Sequence, residues 1–330
     1  SFKNVMSLLV NAYGEMNIAS DISFEKGKIH SKTNFFADSD LIEFTKSATS
    51  NTANKRILKY IDGERSGIYM ISALSPKGIY EGWKKYLGEK AGPYKSAVDD
   101  LFGIMEIFID EKDAFNFIRG DVFYSINGLK TVEITETEYE YNSETDEYDE
   151  VERKVKQQIP LVTLGFSYGK KEDMLKFIRL INRSGFMKKE NKNLYRIFIP
   201  FSNESLLIKM DKGLMVISND EERLLQNKKY RKLDKSHCKN LKTDYQTFYI
   251  NPPSLADILL SLNPPSEART LLNNIKDGVG DFYIHSRRPG KNDTNVKQDI
   301  TLDLKNKEEN SLKQIFDFFN RVYLNTLKGI

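Results

Sequence analysis

The sequence predicts an α+β protein: antiparallel sheets built from repeated β-hairpin–helix units, with the helices packed on one face. Three observations carry that expectation. Strand-like runs come in pairs joined by short polar turns, which favours antiparallel neighbours over parallel crossovers. Amphipathic runs at helical spacing follow the pairs. A Gly-Asp phrase with an aromatic close behind opens two of the pairs, at Gly120-Asp121-Val122-Phe123 and at Gly280-Asp281-Phe282-Tyr283.

The elements follow in order. Phe2 to Tyr13 reads as a short helix, with Phe2, Val5 and Leu9 on one stripe and Gly14 past its end. Asn17–Phe24 and Lys28–Phe36 read as a hairpin turning at Glu25-Lys26-Gly27, and a helix with Leu41, Ile42 and Phe44 starts near Ser39. Gly67 to Leu74 is a strand. Ser75-Pro76 then supplies an N-cap and first turn for a helix with Ile79, Trp83 and Tyr86 or Leu87 on its apolar face. A ribbon leaves at Gly120 and returns through Val151 to Phe166, followed by a helix carrying Met174, Leu175, Ile178 and Ile181. Leu194 to Ser218 reads as a three-strand meander with polar turns at Asn203-Glu204 and Asp211-Lys212-Gly213. The duplicated phrases Asn251-Pro252-Pro253-Ser254 and Asn263-Pro264-Pro265-Ser266 each start a helix, Pro ending the element before and Ser capping the one after. The last ribbon, Gly280–Ile284 with Val296–Leu304, leads to a helix from about Ser311. That helix is expected to bury Leu312, Ile315, Phe316, Phe319 and Val322 or Tyr323. A subdivision near Lys188–Leu194 would separate a ribbon-helix region with a long acidic hairpin (1–187) from a second α+β region (188–330).

Composition excludes several classes. The 330 residues include 50 Lys+Arg against 47 Asp+Glu, a net charge of +3 that is too small for a dedicated nucleic-acid face. A single Cys leaves no disulfide framework and no cysteine-built zinc site. No apolar run approaches the roughly 20 residues that cross a bilayer. With 20 Phe and 17 Tyr the chain has ample apolar surface for a core. It begins at Ser1 rather than Met, and an upstream part is expected.

Several phrases occur together: Ser23-Phe24-Glu25-Lys26-Gly27-Lys28-Ile29, the run Ser66 to Leu87 ending Gly78-Ile79-Tyr80-Glu81-Gly82-Trp83, Gly120-Asp121 opening a strand, Leu214 to Glu221, and Asn310-Ser311-Leu312-Lys313-Gln314. In these the chain resembles, over nearly its whole length, a family of Bacteroidetes cell-envelope lipoproteins classed as a domain of unknown function. The resemblance implies a place in the periplasm or at the outer membrane, with a lipid anchor upstream of this chain. It implies no reaction and no catalytic residue set.

The sharpest chemical motif is Gly165-Phe166-Ser167-Tyr168-Gly169, which fits the Gly-x-Ser-x-Gly nucleophile turn, with Leu161–Leu164 before it as a strand. A triad in chain order would take Ser167, then Asp257 or Asp281, then His285. The corresponding junctions at Ser75-Pro76 and Lys305-Asn306 lack the pattern, and a hydrolase of that type needs a mainly parallel sheet. The structural reading is therefore preferred and no catalytic set is assigned.

Histidine offers little. His30 and His285 lie in strand-like runs, His237 sits beside Cys238, and no pair has ligand spacing. Ser236 and Lys239 fit Ser-x-x-Lys without its companion motifs. Glu133 to Glu152 holds ten carboxylates and no Lys or Arg. Asn142, Glu144 and Asp146 mimic the first positions of a calcium loop. Glu147 stands where the loop needs Gly, and Arg153 where it needs Glu, so an EF-hand is excluded. What remains is the solvated tip of a long ribbon, its charge opposing edge-to-edge association, with Tyr139, Tyr141 and Tyr148 as contact residues. Asn227 to Lys242 is opposite in sign, with Lys228, Lys229, Arg231 and Lys232 at its start.

The expected role is a non-catalytic binding or scaffolding protein of the cell envelope. Its contact surfaces are Tyr139, Tyr141, Glu144, Asp146 and Tyr148 on the ribbon and Lys228, Lys229, Arg231 and Lys232 on the basic segment. An envelope protein or an anionic polymer is the expected partner; no metal, cofactor or nucleic acid is assigned. The alternatives are a serine hydrolase using Ser167, and a binder of anionic polymer or lipid headgroups.

Overall fold

A computed structural model describes residues 16–63, 65–92, 95–108, 117–143, 146–183, 185–199, 204–226, 233 and 240–328. The expected helix over Phe2–Tyr13 lies outside them. The chain is α+β and dominated by its sheet, with eight α-helices and twelve strands among the described residues. The first part runs β1 (Asn17–Glu25), β2 (Lys28–Phe36), α1 (Ser39–Ala48), β3 (Ile68–Ala73), α2 (Pro76–Lys90) and α3 (Lys95–Phe108). The ribbon strands β4 (Ile118–Asn142) and β5 (Glu147–Tyr168) come next, then α4 (Lys171–Asn182). The strands β6 (Met187–Asn191), β7 (Leu194–Phe198), β8 (Ser205–Asp211) and β9 (Leu214–Ser218) lead to α5 (Glu221–Gln226). Last come β10 (Asp244–Ile250), α6 (Pro252–Ser261), α7 (Ser266–Gly278), β11 (Val279–Arg287), β12 (Asn295–Leu304) and α8 (Ser311–Lys328).

All twelve strands form one antiparallel sheet in the order β1-β2-β12-β11-β10-β3-β4-β5-β9-β8-β7-β6. The three late strands are inserted between β2 and β3, so strands from both sides of residue 187 share the sheet.

Local chemistry explains the ends of the elements. The β1–β2 turn needs Gly27, whose φ is +62° and where a Cβ would stand 2.6 Å from Lys307 Cα. Asp38 caps α1 by accepting the Leu41 N–H at 2.7 Å, and Ser75 caps α2 by accepting that of Gly78 at 3.0 Å. Two expected caps move. Asn251, not Ser254, caps α6, accepting the Ser254 N–H at 2.7 Å, because Pro252 and Pro253 fill the first turn, where a missing N–H costs nothing. Pro265 stands at the cap position of α7, and Ser266 is already helical.

Burial divides into three clusters. Along the sheet centre, Tyr69, Ile71, Phe123, Val216 and Tyr249 meet Ile57 and Ile61 of the segment that crosses over them. Ile57 and Ile61 are wholly buried, each contributing about 1.5–3 kcal/mol of apolar transfer. Under α4, Met174 and Ile178 pack on Ile208, Met210 and Met215, as the helical spacing predicts. A helical layer gathers Leu41, Tyr86, Leu87, Val98 and Phe102, with Trp83 against Phe44 at 4.8 Å between ring centroids.

The C-terminal helix departs from expectation. Leu312, Phe316, Phe319 and Tyr323 of α8 are exposed, Phe316 to 66%, whereas Ile315 and Val322 are half-buried as expected and Phe318 lies near Gly278 of α7. The periodicity identifies an apolar stripe but not what lies beside it, and in this chain the stripe faces outward.

Candidate functional site

Beyond Ile126, β4 loses its neighbour β3, and β5 gains β9 only from Thr163. From Leu129↔Pro160 to Asn142↔Glu147 the two strands therefore pair, among the described residues, with each other alone. This two-stranded ribbon extends roughly 45 Å from the sheet. Tyr139, Tyr141 and Tyr148 share one of its faces and are 56–69% exposed. The Tyr141 and Tyr148 rings meet edge-to-face at 5.5 Å. The Tyr141 hydroxyl donates to Asp146 Oδ1 at 2.5 Å, which holds the phenol above its ordinary pKa. Tyr139 donates to Glu150 at 3.0 Å. The carboxylates are partly answered by β5: Arg153 reaches Glu138 at 3.2 Å and also pairs with Glu140, and Lys154 reaches Glu133 at 3.1 Å.

Asp146 occupies the turn at φ +58°, and Asn142, Glu147 and Arg153 lie in the hairpin strands. Among the described residues no cluster of three or more His, Cys, Asp or Glu side chains could hold a metal ion. Glu144, and the basic residues Lys228, Lys229, Arg231 and Lys232, lie outside the described residues, as do His237 and Cys238.

Ser167 is a strand residue, paired with Leu214 of β9 and 2% exposed. Its hydroxyl donates to Asp121 Oδ2 at 2.7 Å and accepts from Asn54 Nδ2 at 3.2 Å. Asp121 Oδ2 also takes the Asn54 N–H at 2.8 Å. Gly165 is small for a packing reason: a Cβ there would lie 2.5 Å from both the Met215 carbonyl and the Phe123 ring. The other residues of the postulated triad have their own partners elsewhere. Asp257, on α6, pairs with Lys276 at 2.5 Å. His285, on β11, donates from Nδ1 to the buried Asp244 at 2.9 Å, and His30 lies 3.7 Å from Asp299.

Asp281, the triad's other candidate carboxylate, anchors a part-buried polar cluster. It accepts from the Tyr249 and Tyr283 hydroxyls at 3.1 Å each and from Asn251 Nδ2 at 2.8 Å. The rings continue along the sheet, Tyr69 on Tyr249 at 4.8 Å and Tyr249 on Tyr283 at 5.0 Å. Burial, with the Asp281 carboxylate adding to it, pushes both tyrosines far above the ordinary phenol pKa, so both remain donors. The signal for this cluster was the Gly-Asp phrase. In both copies the Asp ties its strand to an Asn at the start of a helical segment: Asp121 to Asn54, which caps the 3₁₀ turn Lys55–Lys59, and Asp281 to Asn251, which caps α6. Gly120 allows the approach, with φ +98° and the Leu74 carbonyl 1.9 Å from where a Cβ would sit.

Compared with protein-family models, with curated proteins and with solved structures, the chain matches none. No helix among the described residues is long and apolar enough to cross a membrane.

Proposed function

We propose that this chain is a non-catalytic binding or scaffolding protein, held in the cell envelope through an upstream lipid anchor, as the family resemblance implies. The observation that carries the reading is the ribbon. A two-stranded hairpin is marginal on its own in water, yet this one projects far from the sheet and presents three exposed tyrosines among carboxylates. Tyrosine supplies large contact area at low entropic cost, and the surrounding charge selects a basic partner surface. Ser167 supports the same reading: its hydroxyl is committed to Asp121 and Asn54 inside the sheet. The hairpin–helix sets β1–β2–α1, β4–β5–α4 and β11–β12–α8 share one order, and we read them as repeats of one structural unit.

The test is crosslinking of the anchored protein in its native envelope, followed by mass spectrometry. A stoichiometric protein crosslinked at 133–152, and lost when Tyr139, Tyr141 and Tyr148 are replaced by Ala, supports the reading. Labelling by a fluorophosphonate probe that disappears in Ser167→Ala overturns it.

A further inference from the structure

The two edges of the sheet differ. β6 is five residues long and carries Lys188 and Lys189, the usual protection of an edge against pairing. β1 is nine residues long, exposed along nearly all of its length, with Ile18 at 63%, Ile22 at 59% and Phe24 at 41% on one face. Register places those three on the same face as Ile300 and Leu302 of β12. α8 lies on that face, over β1 and β2 and beside α7, which itself touches β11. The α7 side of α8 is marked by Phe318 and Arg321, which approach Gly278. At 100° per residue, Leu312, Phe316 and Tyr323 lie on the side of α8 opposite Phe318 and Arg321, towards the edge of β1 that no described strand pairs with, while Phe319 lines the groove shared with α7.

We propose that a second copy of this chain occupies this edge, the two β1 strands pairing antiparallel about a two-fold axis normal to the sheet. Such an axis leaves the α8-bearing faces of both copies on one side, so the α8 stripes face each other across the seam. The sheet carries helices on both faces, contrary to the one-face expectation, since α4 packs on Met215 and α5 on its strand neighbour Val216. One register of the strand with its own copy sets apolar side chains opposite each other. Centred on Ser20, it sets Ile18 against the partner's Ile22, Asp21 against the partner's Ala19 and Asn17 against the partner's Ser23. A register one residue further on would set Asp21 against its own copy, and like charges directly opposite are unfavourable. The apolar side chains of β1 and α8 expose on the order of 800 Å² per copy, about what each side of a stable interface buries. This surface is at the far end of the strand order from β6 and does not depend on the ribbon reading.

The experiment measures the mass of the 330-residue chain in solution by light scattering and sedimentation across a concentration series. Twice the mass of one chain is expected. The double variant Ile18→Lys/Ile22→Lys, both positions already exposed, is expected to weaken association roughly a hundredfold or more while its circular dichroism is unchanged. In a Cys238→Ser background, Ser20→Cys is expected to form an intermolecular disulfide, because directly opposed residues have Cα atoms about 4.5–5.5 Å apart. A single-chain mass at all concentrations overturns the proposal. So does a dimer that survives the Lys variant and fails to crosslink at Ser20→Cys.

Discussion

The Ser167 hydroxyl donates to the Asp121 carboxylate at 2.7 Å, from one central strand of the sheet to its neighbour. That bond turns a motif associated with catalysis into a tie between β4 and β5. It also fixes the crossing segment above them, since the same carboxylate oxygen takes the Asn54 N–H. Ser167→Ala removes a charge-assisted bond from a buried pair and leaves Asp121 with one donor fewer. The expected loss is about 1.5–3 kcal/mol, read by urea denaturation. Retention of full stability would show that the pair contributes nothing to the fold.

Gly120→Ala is expected to cost more. It places a Cβ inside the Leu74 carbonyl at φ +98°, so backbone must move and the Asp121 anchor moves with it. Loss of soluble folded protein, or destabilisation beyond about 3 kcal/mol, is expected. Gly92→Ala serves as the control. Its φ is +48° with no atom within 4 Å, and about 1 kcal/mol is expected there. Equal effects at the two sites would refute the steric argument.

Tyr249 and Tyr283 make alkaline pH destabilising. Their phenol pKa values are raised on folding, so the stability they contribute is complete below the unfolded value of about 10 and is lost as pH rises through the folded values. Absorbance at the phenolate band should therefore show these two tyrosines ionising only together with unfolding. Asp281→Asn removes the carboxylate that both hydroxyls serve and should bring the alkaline transition to lower pH. An unchanged transition would show that the carboxylate is not coupled to it.

The ribbon should be separable from the rest. Replacing residues 135–154 with Asn-Gly joins Ile134 to Val155, which are already paired, through a two-residue turn suited to hairpins. The melting temperature is expected to stay within a few degrees, because exposed ion pairs such as Lys154–Glu133 contribute about 0–1 kcal/mol each. Collapse of the fold would mean that the ribbon is structural rather than a contact arm.

What could be read from the sequence was local. The hairpin at Gly27, the Ser75 cap, the meander from Leu194 and the buried Met174–Ile178 stripe all announce themselves within a few residues. α3 and β10 raised no expectation, although Tyr245, Thr247 and Tyr249 alternate in the manner of a strand. Strand order was beyond reach, because no local signal says that β12 lies beside β2. The outward face of α8 was hidden for the same reason: its pattern is that of any amphipathic helix, and burial depends on what lies beside it. At Ser167 the residue types matched a nucleophile turn, whereas the backbone continues as strand through Tyr168.

Placing β12 against β2 also sets the timing of folding. Phe35 meets Val296, and Ile29 meets Leu302, contacts that span most of the chain. The β1–β2 hairpin leaves the ribosome early and has no sheet to join until the last strands have been made. Ordering of the sheet must then close a very long loop, which slows folding relative to a protein of local contacts. A chain arrested before residue 295 would hold β2 without its β12 neighbour, an open strand edge available for chaperone capture.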